Sequence, residues 1–151
     1  MNVFVPFPDI VKCVQHLDNS RLNKQVSECA QILRCLDSVL LGKQRIPWSK
    51  HPAVLMWQCN PDGLLYYMHA AEQERLNRGM NPHKEITNIA DQLPYFVACE
   101  TDSPWWWGNS KIHNSHLHNL QLKFLGLPHG PYFWPIQSIR GNIVYNLPIP
   151  A

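Results

Sequence analysis

Residues 18–41 read DNSRLNKQVSECAQILRCLDSVLL, and the fold of the chain depends first on this stretch. Its apolar side chains recur at spacings of three and four residues, the pattern of a helix with one side against a core. Asp18 or Asn19 is suited to cap the start of this helix, and Gly42 to end it in the left-handed conformation. We therefore predict a long core helix from about Asn19 to Leu41.

The same helix carries a second, polar stripe. Arg21, Gln25 and Glu28 fall on one face, and Lys24 lies alongside. One interpretation is a solvated face in which Lys24 and Glu28 form an ordinary i,i+4 ion pair, worth about 0.3 kcal/mol. The other interpretation is a functional site at the front of a core helix. The sequence leaves both open.

Length and composition indicate one globular domain that spans residues 1–151. The chain has 45% apolar residues, 16% charged residues and a net charge of +2. This length is sufficient to bury a core without disulfides or metals. A mildly basic balance permits a nucleic-acid partner without requiring one. The sequence contains no glycine-rich nucleotide-binding loop and no serine-hydrolase or zinc-protease motif, so we expect no cofactor.

The cysteines and the apolar runs bear on the compartment. The five cysteines are odd in number and form no C-x-x-C pair, so we expect reduced thiols. The opening MNVFVPFPD lacks the features of a signal peptide, and no apolar run approaches the roughly 20 residues of a membrane span. We expect a cytoplasmic protein.

Proline and asparagine signals divide the rest of the chain into further helices. A short helix is predicted within 8–17, and Asn-Pro pairs predict helix starts near 60 and 82. Asn109 or Ser110 is suited to cap a last helix that Gly126 ends. The segment AVLMW is compatible with helix or strand. The predicted fold is mainly α, with about four helices, long proline-rich loops and an extended C-terminal tail from Leu127.

Histidines and tryptophans supply further candidate contacts. His113 and His116 lie one turn apart on the last helix, but zinc would need a third ligand such as His51. We expect no metal, and we expect both histidines to line a cleft and hydrogen-bond to a phosphate or a base. In the run Trp105–Trp107 at least one indole must be partly exposed, and exposed indoles stack on bases for about 1–3 kcal/mol each. Trp106 is the candidate.

The chain resembles the pyrimidine-dimer DNA glycosylase (endonuclease V-type) family, in a divergent bacterial and phage branch. The resemblance extends over nearly the whole chain and rests on five segments: LDNSRLNKQVSECAQIL, WSKHPAVLMW, ERLNRG, PWWWGNSKIHNSHLHNLQLK and PYFWP. It implies a helical monomer that grips duplex DNA carrying a damaged or modified base and turns that base out of the stack.

In studied members, the amino group at the chain start attacks the sugar C1′ to form an imine, and a glutamate in a Tyr-Arg-Glu run assists. Here Arg21 matches the arginine approximately, Lys24 or Gln25 replaces the glutamate, and Glu28 is the nearest carboxylate. Asn2 is large for removal of an initiator methionine, so the nucleophile would be the amine of Met1 or would be lost. The catalytic set that the resemblance implies is Met1, Arg21, Lys24, Gln25 and Glu28.

Two further routes stay open. Lys24 would supply the amine if burial removes its proton near neutral pH. Alternatively, Glu28 would activate water for simple hydrolysis, while Arg21 and Gln25 hold the phosphate and the base. The predicted nucleic-acid contacts are Asn2, Asp18, Lys50, His51, Trp57, Trp106, Asn109, His113, His116, Asn119 and Lys123.

Two other functions compete with a glycosylase. A binding module for modified or distorted DNA would retain the fold without catalysis. An enzyme that modifies a nucleotide or base would use the same fold for another reaction.

Overall fold

Six α-helices dominate the part of the chain that the computed structural model describes, which is residues 1–99, 103–137 and 143–146. The mainly α fold is thereby confirmed. Four of these helices have nine or more residues, and the other two have six. The helices are α1 (Ile10–Gln15), α2 (Asn19–Leu40), α3 (Pro52–Trp57), α4 (Pro61–Asn77), α5 (Lys84–Gln92) and α6 (Ser110–Phe124).

Helix α2 is the centre of the packing. It lies mainly against α4 and also contacts α3 and α5. Its apolar stripe is fully enclosed, with Leu22, Val26 and Leu33 at 0% exposure. Asp18 caps its start by accepting a hydrogen bond from the backbone N–H of Arg21 at 2.9 Å. Because burial of apolar surface is the main stabilising term in folding, this stripe holds the core together.

The helices begin and end at residues that suit capping. Gly42 has φ 68°, the left-handed conformation predicted for the residue that ends α2. The undecided segment AVLMW is helix α3, with His51 as its cap and Pro52 in its first turn. Helix α5 begins at Lys84, two residues later than predicted, because the His83 side chain caps it.

The C-terminal tail contributes a small antiparallel pair. Strands β1 (Trp134–Gln137) and β2 (Ile143–Asn146) pair with Trp134 opposite Asn146, and α3 packs against β1. The predicted extended course of the tail over residues 138–142 and 147–151 lies outside the described residues. Within the described ranges, no helix has both the length and the apolar character that crossing a membrane requires. All five cysteines lie within the described ranges, and no disulfide joins any two of them.

Candidate active site

A cavity of about 340 Å³ collects the whole predicted catalytic set. It lies beside the first turns of α2, between the start of the chain and the region of the C-terminal tail. Eight residues proposed from the sequence line it, and four others complete the wall. The lining residues are Met1, Asn2, Phe4, Arg21, Lys24, Gln25, Glu28, His51, Lys123, His129, Tyr132 and Trp134.

The carboxylate of Glu28 meets the start of the chain in this cavity. Its Oε2 accepts a hydrogen bond from the backbone N–H of Asn2 at 2.5 Å and lies 3.7 Å from the amino nitrogen of Met1. Glu28 is 8% exposed. Lys24 Nζ is 4.0 Å from the other carboxylate oxygen, and 75% of the Lys24 side chain is exposed. The i,i+4 pair therefore exists, but the closer partners of Glu28 are the first two residues.

Buried side chains hold the first residues in place. Val3 and Val5 are fully enclosed although the segment 1–5 forms no helix or strand. Gln25 accepts a hydrogen bond from the backbone N–H of Phe4 at 2.8 Å and donates one to the carbonyl of Asn2 at 3.1 Å. Tyr67 donates to the carbonyl of Phe4 at 2.7 Å. Because backbone N–H and carbonyl groups of this segment both have hydrogen-bond partners, the amino group of Met1 has a defined position.

Two histidines of α6 fix the next residue of the same segment. His116 Nδ1 accepts a hydrogen bond from the backbone N–H of Val5 at 3.2 Å. His113 Nδ1 lies 2.7 Å from the carbonyl of Val5, and its Nε2 accepts from the N–H of Gly108 at 3.0 Å. These partners require a neutral His113 with its proton on Nδ1. Burial lowers the pKa of His113 and lowers the pKa of His116 to about 3.

This histidine pair makes folding stability depend on pH. Between pH 6.5 and about 3 the unfolded chain binds a proton at His116 that the folded chain excludes, so stability falls as pH falls. Each such group contributes about 1.4 kcal/mol per pH unit. We expect urea denaturation to show a loss of about 2 kcal/mol or more between pH 7 and pH 5.

The control for this pH dependence is on the same helix. His116→Gln should lower the free energy of unfolding at pH 7 and flatten its pH dependence, whereas His118→Gln, on the exposed side of α6, should keep the wild-type slope. An equal slope in all three proteins would contradict the role of His116.

Cations form one wall of the cavity. The Arg21 guanidinium pairs with Asp18 and lies 5.2 Å from the centre of the Phe124 ring. Asp18 thus caps α2 and orients Arg21, and it does not line the cavity itself. Arg21, Lys24, Lys123 and the amino group of Met1 line the same cavity, in which Glu28 is the one carboxylate of the wall. Such an arrangement suits a ligand that carries phosphates.

His51 provides a neutral polar group at the same wall. Its Nδ1 accepts a hydrogen bond from the backbone N–H of Ala53 at 3.1 Å, so the ring proton lies on Nε2. Burial lowers the pKa of His51, and the nearby Met1 ammonium lowers it further. A neutral imidazole at this position is a hydrogen-bond donor for a sugar or phosphate oxygen.

The wall from the C-terminal region was not anticipated. Tyr132 and Trp134, which belong to the PYFWP segment of the resemblance, line the cavity, as do Phe4 and His129. Asn119 holds this segment, since its side chain donates to the carbonyl of Pro131 and accepts from the N–H of Gly130. The sequence signal was a histidine next to an aromatic cluster in HGPYFW. The aromatic faces match the stacking that a base requires.

Several predicted nucleic-acid contacts are corrected by burial. Trp57, His116 and Asn119 have 0% exposure, His113 has 3% and Trp106 has 2%, so they present almost no surface to a ligand. They anchor the chain start, the tail and the core instead. The Trp106 indole donates to the carbonyl of Met56 at 2.6 Å, and the exposed member of its run is Trp105.

Two further candidates lie away from the cavity. Asn109 accepts a hydrogen bond from the backbone N–H of Lys111 and caps α6. Lys50 is exposed in the loop 43–51 and lines a separate depression there. Among the residues that the structure describes, no cluster of three histidine, cysteine or carboxylate side chains is placed to hold a metal ion.

The fold and the cavity define a class: a small helical protein with an amine and a buried carboxylate inside a cationic, aromatic-lined site. The family model for pyrimidine dimer DNA glycosylase matches residues 1–88, which is more than half of the chain. The chain belongs to this family. No curated protein and no solved structure matches it. Family membership implies an enzyme that acts on DNA, and the matched part contains Met1, Gln25 and Glu28.

Proposed function

We propose that this protein is a DNA glycosylase that uses the amino group of Met1 as nucleophile and Glu28 as its acid–base partner. Its substrate is duplex DNA with a damaged or modified base, and the protein acts as a single-domain monomer. One observation carries the proposal: the amino nitrogen lies 3.7 Å from Glu28 Oε2 at the end of a segment held by buried hydrogen bonds.

The chemistry follows from this pair. Glu28 accepts a proton from the amino group, and the neutral nitrogen forms a bond to the sugar C1′. The glycosidic bond breaks, its electrons leave with the base, and the base takes up the second proton that the nitrogen gives up after it bonds to C1′. The sugar ring opens at the C1′–O4′ bond, and Glu28 returns a proton to O4′ as the imine forms. The exclusion of water around a buried carboxylate strengthens each of these interactions.

The surrounding residues suit an extruded nucleotide. Arg21, Lys123 and His51 offer donors for phosphate and sugar oxygens, and the faces of Tyr132 and Trp134 offer stacking surfaces. The alternative amine, that of Lys24, is less favoured because its side chain is 75% exposed, without the burial that activates a lysine. We therefore assign Lys24 to phosphate contact.

Borohydride trapping tests the proposal. The wild-type protein is incubated with duplexes that contain an ultraviolet dimer, an abasic site or a modified base, and borohydride then reduces any imine to a stable amine. We expect a covalent adduct that mass spectrometry locates at Met1. An adduct at Lys24 would reassign the nucleophile. Free base without an adduct would indicate hydrolysis through Glu28, and bound DNA without either product would indicate a binding module.

A further inference from the structure

The loop between α2 and α3 presents an unusual tryptophan. Trp48 is 61% exposed, far more than the tryptophans of the core. Its backbone has φ 67°, and that of Arg45 has φ 54°, both in the left-handed region that non-glycine residues seldom adopt. This conformation costs about 1–2 kcal/mol per residue, and such strain concentrates at functional sites.

Trp48 lies at the edge of the candidate active site. Its ring centre is 5.7 Å from that of His51, which lines the cavity. Trp48 and Met1 also line one shared depression on the other side. The exposed indole therefore shares a depression with the residue that carries the proposed nucleophile, although it contributes no wall to the cavity itself.

The loop around Trp48 is cationic. Lys43, Arg45 and Lys50 are exposed and line a depression of about 710 Å³ together with Trp48, and no carboxylate lines it. Within the described residues, none of the three cations forms an ion pair with a carboxylate. An exposed aromatic ring between unpaired cations is complementary to a nucleic acid, in which bases alternate with phosphates.

We propose that Trp48 enters the base stack of duplex DNA and fills the step that the extruded nucleotide leaves. This inference rests on the proposed function, because it gives Trp48 a role beside the same cavity. Turning a nucleotide out of the duplex costs stacking and pairing energy. Stacking of the indole on the neighbouring base offsets part of that cost. Lys43, Arg45 and Lys50 hold the phosphates on either side of the gap.

The test separates binding from chemistry. Wild-type protein and variants are titrated with two duplexes, one intact and one containing a tetrahydrofuran abasic analogue, which cannot form an imine. We expect wild type to bind more tightly to the abasic duplex, in which the missing base leaves a gap in the stack. This duplex is called the gapped duplex below. Trp48→Ala should lose about tenfold to a hundredfold in affinity for the gapped duplex and much less for the intact one. Trp48→Phe should retain most of the preference.

Further variants control for the backbone, for exposed aromatic surface and for charge. Trp48→Asn keeps a residue type that accepts the left-handed backbone and should behave as Trp48→Ala. Trp105→Ala removes an exposed indole away from the loop and should have no effect. Lys50→Ala should lower the affinity for both duplexes by the same factor. It should also reduce the salt dependence of binding by an amount that corresponds to about one phosphate contact. Denaturation curves verify that each variant is folded.

A second readout reports stacking directly. With 2-aminopurine next to the gap, wild type should quench the emission and Trp48→Ala should not. If wild type shows no preference for the gapped duplex, or Trp48→Ala binds and quenches as wild type does, the inference is overturned, whether or not bases are excised. If the gap preference depends on Trp48 but trapping yields no adduct, the proposed chemistry fails while this inference stands.

Discussion

Replacement of Glu28 by glutamine is expected to lower the rate of base release by about 10²–10⁴-fold. Glutamine keeps the size of the side chain and an oxygen that accepts the hydrogen bond from the Asn2 N–H. It has no negative charge, so it neither takes a proton from the Met1 amine nor returns one as the sugar ring opens. Affinity for DNA should be maintained, because the substitution removes a negative charge from a cationic cavity. Single-turnover kinetics and DNA titrations measure the two quantities separately.

The controls for Glu28 isolate its position. Asp91→Asn removes an exposed carboxylate from α5 and should leave base release unchanged. Lys24→Ala should weaken DNA binding modestly and preserve the single-turnover rate. Unchanged base release in Glu28→Gln would overturn the assignment of roles in this cavity.

Extension of the chain by two residues before Met1 is expected to abolish the trapped adduct. Each extended residue spans about 3.3–3.6 Å, so the extension displaces the amine by up to about 7 Å from Glu28. The nitrogen of Met1 becomes an amide, which is not a nucleophile. Borohydride trapping should then fall below detection while DNA binding persists.

The extended protein contains its own control. If the extension ends in a site for a specific protease that leaves Met1 as the first residue, cleavage should restore trapping in the same sample. An extended, uncleaved protein that still forms an adduct at residue 1 or at Lys24 would contradict the proposed nucleophile. Loss of trapping that cleavage does not reverse would point to misfolding.

Helical periodicity predicted which polar side chains of α2 share a face, but it did not predict which segment of the chain packs against that face. The spacing of Arg21, Gln25 and Glu28 along α2 placed these side chains on one face, and the structure brings all three to the cavity. The amino group of Met1, 27 positions before Glu28, entered only through the resemblance to a family. Helical spacing relates residues within an element, and contacts between distant segments depend on tertiary packing.

The histidines and tryptophans show the same limit. One helical turn correctly put His113 and His116 on a common face, and hydrogen bonding was anticipated. Their partner is the backbone of Val5, because spacing does not say which surface covers a face. Three adjacent tryptophans required exposure, but packing decided that Trp105 is exposed and Trp106 buried. The exposure of Trp48 accompanies a left-handed backbone that no feature of its sequence predicts.

The hydrogen bonds that join His113 and His116 to Val5 have a consequence for the order in which the chain start becomes fixed during synthesis. Val5 is synthesised before the ring that accepts its N–H, which belongs to His116, 111 positions later. Residues 1–5 are thus made well before one of their buried anchors. Until α6 has been made, neither histidine can hold Val5, although Gln25 and Tyr67 are already present to hold Phe4. A chain that ends before α6 therefore lacks the two histidine contacts to Val5, and we expect it to hold its first residues less firmly.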